Sequence, residues 1–177
     1  MTTGTSTTRT GTTAAGSGAG LPAAVLGAVL GLGYVALNLY WAAGGDRWLA
    51  EYGSHLIGRA DGNTFRVSSL VLAALLLAEV LLVIRAVTMP FDAPARPAVR
   101  WAAWVGAGFI ALYGMAMTAI GLYIQLDLGG VEADDPRLYR WHAFLWDPWF
   151  LLLGVVLVVA LMRSARAYVA ATGRDPV

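Results

Sequence analysis

Apolar runs of bilayer length, separated by shorter polar stretches, set the pattern of this chain. Residues 21–43 carry no formal charge. Residues 67–84 are apolar apart from Ser68, Ser69 and Glu79, and residues 101–125 are again uncharged. A fourth run, 148–162, is shorter than the ~20 helical residues that cross ~30 Å of hydrocarbon. It reaches that length if Arg163 and Arg166 snorkel and the helix continues to Tyr168. No stretch alternates in the way a lipid-facing barrel strand does, and a helix satisfies its own backbone in lipid. The pattern therefore predicts an all-α bundle of four transmembrane helices, about 21–43, 67–84, 101–125 and 148–168. This bundle occupies residues 21–168. A Thr/Gly/Ser/Ala-rich tail (1–20) cannot bury enough apolar surface to order itself, and a second tail covers 169–177. A cleaved signal peptide competes for the first run, but a lone Arg9 is a weak positive region and 23 residues exceed the about 7–15 of a signal core.

Composition supports the membrane class. Of 177 residues, 58% are hydrophobic and only 13% charged, with a mean hydropathy of +0.65. A net charge of +1 provides no basic face for nucleic acid, so no nucleic-acid partner is expected. Cysteine is absent, which excludes thiolate catalysis, disulfide exchange and Cys-ligated metal clusters.

All twelve basic residues are arginines. Seven (Arg9, Arg85, Arg96, Arg100, Arg163, Arg166, Arg174) fall on the side of both termini and five (Arg47, Arg59, Arg66, Arg137, Arg140) on the other. The bias places both termini in the cytoplasm of a multi-pass cell-membrane protein. Tryptophans mark both boundaries: Trp101 and Trp104 inside, Trp41, Trp48, Trp141, Trp146 and Trp149 outside. The two outer loops run about twenty residues each, long for a compact bundle, and "EYGSHLIGRADG" (51–62) is expected to form a short interfacial helix. The inner 85–100 segment reads as a Pro-punctuated connector.

Small residues identify packing faces between lipid-embedded helices. The first helix carries Gly27 and Gly31 in GxxxG spacing. In the third, Ala107, Ala111, Gly114, Thr118, Gly121 and Gln125 draw one seam toward the bundle. Polar side chains gather in the outer half: Asn38 and Trp41 on helix one, Ser68 opening helix two, Thr118 and Gln125 on helix three, His142 and Asp147 before helix four. They predict a wet, aromatic-rimmed pocket open to the outer face. Glu79 stands apart, about 18 Å along its helix from Val67, on a stripe with Ser68, Leu72 and Leu75. An ionised carboxylate there is costly, so it is expected to be protonated, paired or hydrated. At its depth the other helices offer Gly27, Gly106 and Gly108. Its plain role is a neutral carboxyl bonded to a backbone carbonyl exposed beside a glycine; its functional role is proton or cation binding. Asp147 before Pro148 reads as a helix N-cap. His55 and His142, in loops or at helix mouths with no HExxH pair, do not make a metal or haem site. Neither metal nor cofactor is expected.

Two stretches, "LYWAAGGD" (39–46) and "WDPWFLLLG" (146–154), resemble a family of bacterial four-helix membrane proteins known as domain of unknown function 3995. The resemblance covers most of residues 21–165 and implies a small integral membrane bundle, with no activity, cofactor or catalytic residue attached.

The leading expectation is a non-catalytic protein that binds or passes a small molecule, lipid or ion, with Glu79 as a protonation switch and Asn38, Trp41, Ser68, Thr118, Gln125, His142 and Asp147 lining the entry. The first alternative is a membrane enzyme acting on a lipid or isoprenoid-like substrate, with Glu79 or Asp147 paired with His142 for acid–base work. The second is an accessory subunit whose small-residue faces bind a partner membrane protein or another copy of the chain. Membrane lipid is a partner in every case.

Overall fold

Proline and glycine punctuate the helices as the chain leaves and re-enters its apolar runs. The computed structural model describes residues 18–49, 62–130 and 136–173. The expected interfacial helix in 51–62 lies almost wholly outside them. Helix α1 (Leu21–Ala42) has Pro22 in its first turn, where a missing N–H leaves no intrahelical bond unmade. Helices α2 (Gly62–Thr88) and α3 (Arg96–Gln125) follow. A short α4 (Pro136–Trp141) continues through a π-helical turn, His142–Trp146, into α5 (Asp147–Thr172). Gly173, at φ +65°, closes α5 by donating to the Val169 carbonyl. Helices α2, α3 and α5 outrun their apolar cores, because helical hydrogen bonding continues where hydropathy has already fallen, whereas α1 ends one residue short of its run.

Four helical segments are long and apolar enough to cross a membrane: 21–42, 62–88, 96–125 and the continuous 136–172. No strand occurs among the described residues. Their outward faces are greasy, with Val29, Leu75, Val105 and Phe109 all more than 60% exposed. Lipid-facing surface accounts for this, since burying such residues in a water-soluble fold is strongly favoured. This is the architecture of a multi-pass membrane protein.

Glycines hold the bundle together. The Gly27–Gly31 face of α1 is covered by the chain itself, Gly27 by Leu157 and Gly31 by Val80 and Leu153. Gly114 on α3 rests on the backbone of Phe150 and Leu151, while Gly154 on α5 rests reciprocally on the backbone of Ala111. Gly121 lies against Ala143. The α3 seam read from the sequence thus packs on α5 and the π turn. Leu153, Leu157, Leu161 and Val83 fill the centre. At one end of the bundle, the aromatic end, Trp41, Phe65 and Trp146 meet. At the other, the arginine end, Arg96 lies against Phe91 and Tyr168.

Two expectations change. Asp147 is not an N-cap: both it and Trp146 have right-handed helical backbone, and α5 is entered from an existing helix. Pro148 cannot donate to the Phe144 carbonyl and its ring crowds that group, and the chain responds by widening the turn. Asp147 N–H donates to the His142 carbonyl five residues back. The buried stripe of α2 is also rotated by one residue. It runs through Ser69, Ala73, Leu76, Val80, Val83 and Val87, whereas Ser68 and Leu75 face outward; Glu79 alone of their stripe is buried.

Candidate functional site

The aromatic end carries a half-open cavity of about 340 Å³ lined by Gly33, Tyr34 and Leu37 of α1, Trp48 of the following turn, and Trp141, Leu145, Trp146 and Trp149. Each wall has a local reason. Gly33 carries no side chain, and a Cβ there would meet only the Trp149 ring, at an ordinary 3.7 Å. Trp149 is anchored because its indole Nε1 donates to the Leu30 carbonyl at 3.2 Å. Trp146 packs edge-on to both Tyr34 and Trp41, with ring centroids 6.2 and 6.1 Å apart. Trp48 is set by the turn that ends α1. Gly44 takes φ +98°, which glycine alone adopts freely. Tyr40 lies on Gly45, and its hydroxyl accepts the Arg47 N–H at 3.3 Å. Trp41 Nε1 donates to the Arg47 carbonyl at 3.0 Å. Trp48 itself sits at φ +62°.

The pattern that defines the proteins of unknown function DUF3995 matches residues 29–157, from the middle of α1 to the first half of α5. The chain belongs to the DUF3995 family. No curated protein and no solved structure matches it. In this DUF3995 chain the "LYWAAGGD" stretch is the α1-ending turn just described, and "WDPWFLLLG" is the exit of the π turn into α5.

The polar residues expected at the entry are dispersed. Trp41 is buried beneath the cavity rather than lining it. Asn38 is buried, but its Nδ2 donates to the Tyr34 carbonyl of its own helix at 2.9 Å. Ser68 is exposed and bonds back to the Thr64 carbonyl at 2.9 Å. Gln125 Nε2 donates to the Pro136 carbonyl at 3.4 Å, tying α3 to α4. Thr118 Oγ1 is buried without a hydrogen-bond partner. None of these lines the cavity, which is apolar rather than wet.

His142 and Asp147 are brought together: Nδ1 lies 3.3 Å from Oδ1, with Asp147 buried and His142 half-buried. Five residues along an ordinary α-helix separate side chains by about 140°. The π turn removes most of that angle. The pair stands beside Trp141 and Trp146 in sequence, yet neither residue lines the cavity.

Glu79 is buried in the bundle and does not line this cavity; its carboxyl lies against the Cα of Gly106. The Ala107 backbone amide is its hydrogen-bonding neighbour, and Oε1 has none. The glycine beside Glu79 is one of those at its depth in the sequence, but the backbone group the carboxyl meets is an amide N–H rather than a carbonyl. No grouping of three or more His, Asp or Glu able to hold a metal exists among the described residues.

Five of the seven tryptophans at one end gave the signal for an aromatic rim, but nothing in the sequence showed that the rings would form the walls themselves in place of the polar residues.

Proposed function

We propose that this protein binds a lipophilic ligand, an acyl or isoprenoid-like chain, in the aromatic cavity at the end of the bundle. The observation that carries the reading is the cavity itself. Its walls are rings and aliphatic carbons, and a chain placed there exchanges lipid surroundings for the flat faces of fixed indoles. Tryptophan and tyrosine at this depth sit at the boundary of hydrocarbon and headgroups. A ligand with one apolar and one polar end would be held across that boundary. Binding is favoured over catalysis because the only imidazole–carboxylate pair seen among the described residues is not in the cavity wall. The arginine bias supports a cytoplasmic position for both termini and hence an outward-facing cavity in the cell membrane.

Gly33→Leu tests the binding, because a Cβ is tolerated there and the longer side chain would project into the cavity and obstruct it. Protein purified in maltoside and washed free of annular lipid is expected to retain a stoichiometric lipophilic molecule by mass spectrometry. Gly33→Leu, with unchanged helicity, is expected to retain none. Equal retention by both rejects the reading. The cysteine-free chain also permits a topology test. An impermeant maleimide is expected to label Leu128→Cys in intact cells and Gly18→Cys only after permeabilisation; the reverse pattern rejects the orientation.

A further inference from the structure

We propose that Arg96 and Arg100 form a phosphate-binding site at the arginine end of the bundle, remote from the aromatic cavity and independent of its role. Both arginines are only 4% exposed. Exposed arginines close to the same end, Arg85, Arg163 and Arg166, behave as snorkelling side chains should. Arg96 and Arg100 do not. Nε and Nη2 of Arg96 and Nη1 of Arg100 are buried and donate no hydrogen bond. No carboxylate pairs with either among the described residues, and Asp92, four positions from Arg96, is exposed and unpaired with it. Two like charges on successive turns of α3 are thus taken out of water with no carboxylate against them among the described residues, an arrangement that favours an anion as partner.

The surroundings say how the anion would be held. The guanidinium carbon of Arg96 lies 4.4 Å from the Phe91 ring centroid and 4.7 Å from that of Tyr168. The two rings meet edge to face at 5.3 Å and 84°. Rings satisfy the faces of a guanidinium but accept nothing from its in-plane N–H groups. Those donors are left for a ligand. A cavity of about 170 Å³ opens beside them, lined by Phe91, Pro94, Arg96, Pro97, Arg100 and Tyr168. A carboxylate, planar and singly charged, satisfies one fork. A phosphate has tetrahedral oxygens and enough charge to serve two forks one helical turn apart. The cavity has room for a phosphate group but not for acyl chains. A lipid headgroup would therefore leave its chains outside, along the exposed face that begins at Trp101. A soluble phosphate would enter alone.

The test uses full-length protein, delipidated in a phosphate-free maltoside, with thermal unfolding followed on adding phosphatidylglycerol or inorganic phosphate against chloride at matched ionic strength. Saturable stabilisation is expected. If phosphatidylglycerol alone produces it, the source is a headgroup; if inorganic phosphate does, the source is soluble. Arg96→Gln and Arg100→Gln should each weaken the response about tenfold or more, the effect of losing a charge-assisted hydrogen bond. Arg96→Lys should not restore it, since an ammonium lacks the fork. No stabilisation by either compound, or an undiminished response in both Gln variants, overturns the proposal. Should the variants fail to fold, phosphorus NMR of the wild type decides: broadening of the inorganic phosphate or headgroup signal supports the site, and unperturbed signals for both overturn it.

Discussion

The carboxyl of Glu79 lies on the Cα of Gly106, in a gap that only the missing glycine side chain leaves open. This is a contact between the far end of a flexible side chain and a helix backbone. Gly114 and Gly154 make a different kind of contact, backbone against backbone across the α3–α5 interface.

The difference predicts an order of stability. Gly114→Ala and Gly154→Ala must push two helices apart and are expected to cost about 1–3 kcal/mol each, the usual range for overpacking. Gly106→Ala need only swing the Glu79 carboxyl aside and should cost less. Unfolding titrations in mixed detergent measure all three, and a Gly106→Ala penalty equal to that of Gly114→Ala contradicts this account.

Glu79→Met replaces a buried carboxyl that has an unpartnered oxygen with an apolar side chain of similar length. Removing an unsatisfied buried polar group is neutral or favourable, here by up to about 1 kcal/mol. The same unfolding titration checks it. A large loss of stability would mean that the carboxyl has a partner essential to the fold.

Pro148 widens the turn that joins His142 to Asp147. In Pro148→Ala an N–H becomes available for the Phe144 carbonyl, and the turn is expected to tighten toward α-helical geometry and carry the two side chains apart. Imidazole NMR signals of His142 should shift on Asp147→Asn in the wild type. They should not shift on the same change made in Pro148→Ala. An equal shift in both backgrounds contradicts the proline's role.

The turn that presents Trp48 depends on Gly44 at φ +98° and on the Trp41 indole bond to the Arg47 carbonyl. Gly44→Ala forces a side chain into a left-handed conformation near the Arg66 guanidinium and should cost about 1–3 kcal/mol. Trp41→Phe loses one hydrogen bond and should cost about 1 kcal/mol before any packing loss. Thermal unfolding of each variant reports these costs, and limited proteolysis after Arg47 should accelerate in both.

Most of the fold was written locally. An uncharged run such as 101–125 has no way to satisfy its backbone in hydrocarbon except as a helix, so the existence of four spanning helices followed from composition along the chain. Small residues gave away packing faces for the same reason, since in lipid close backbone approach takes the place of hydrophobic contrast. That lack of contrast is also why the finer pattern stayed hidden. Leu75 and Leu76 are equally apolar, yet one faces outward and the other is buried; Ser68 and Ser69 divide in the same way. No period in the sequence tells the core side from the lipid side when both are greasy.

Only the tertiary structure decided what the polar residues do. Arg96 and Arg100 resemble connector residues in sequence because charge ends an apolar run, yet both are buried, Arg96 against Phe91 and Tyr168, contributed by a loop and by the last helix. Asp147 has the local signature of a cap, and it becomes a partner of His142 because a helix already formed upstream passes through Pro148. Along one strand of sequence, hydropathy determines which segments enter the bilayer; which side chains then meet is a property of four helices at once.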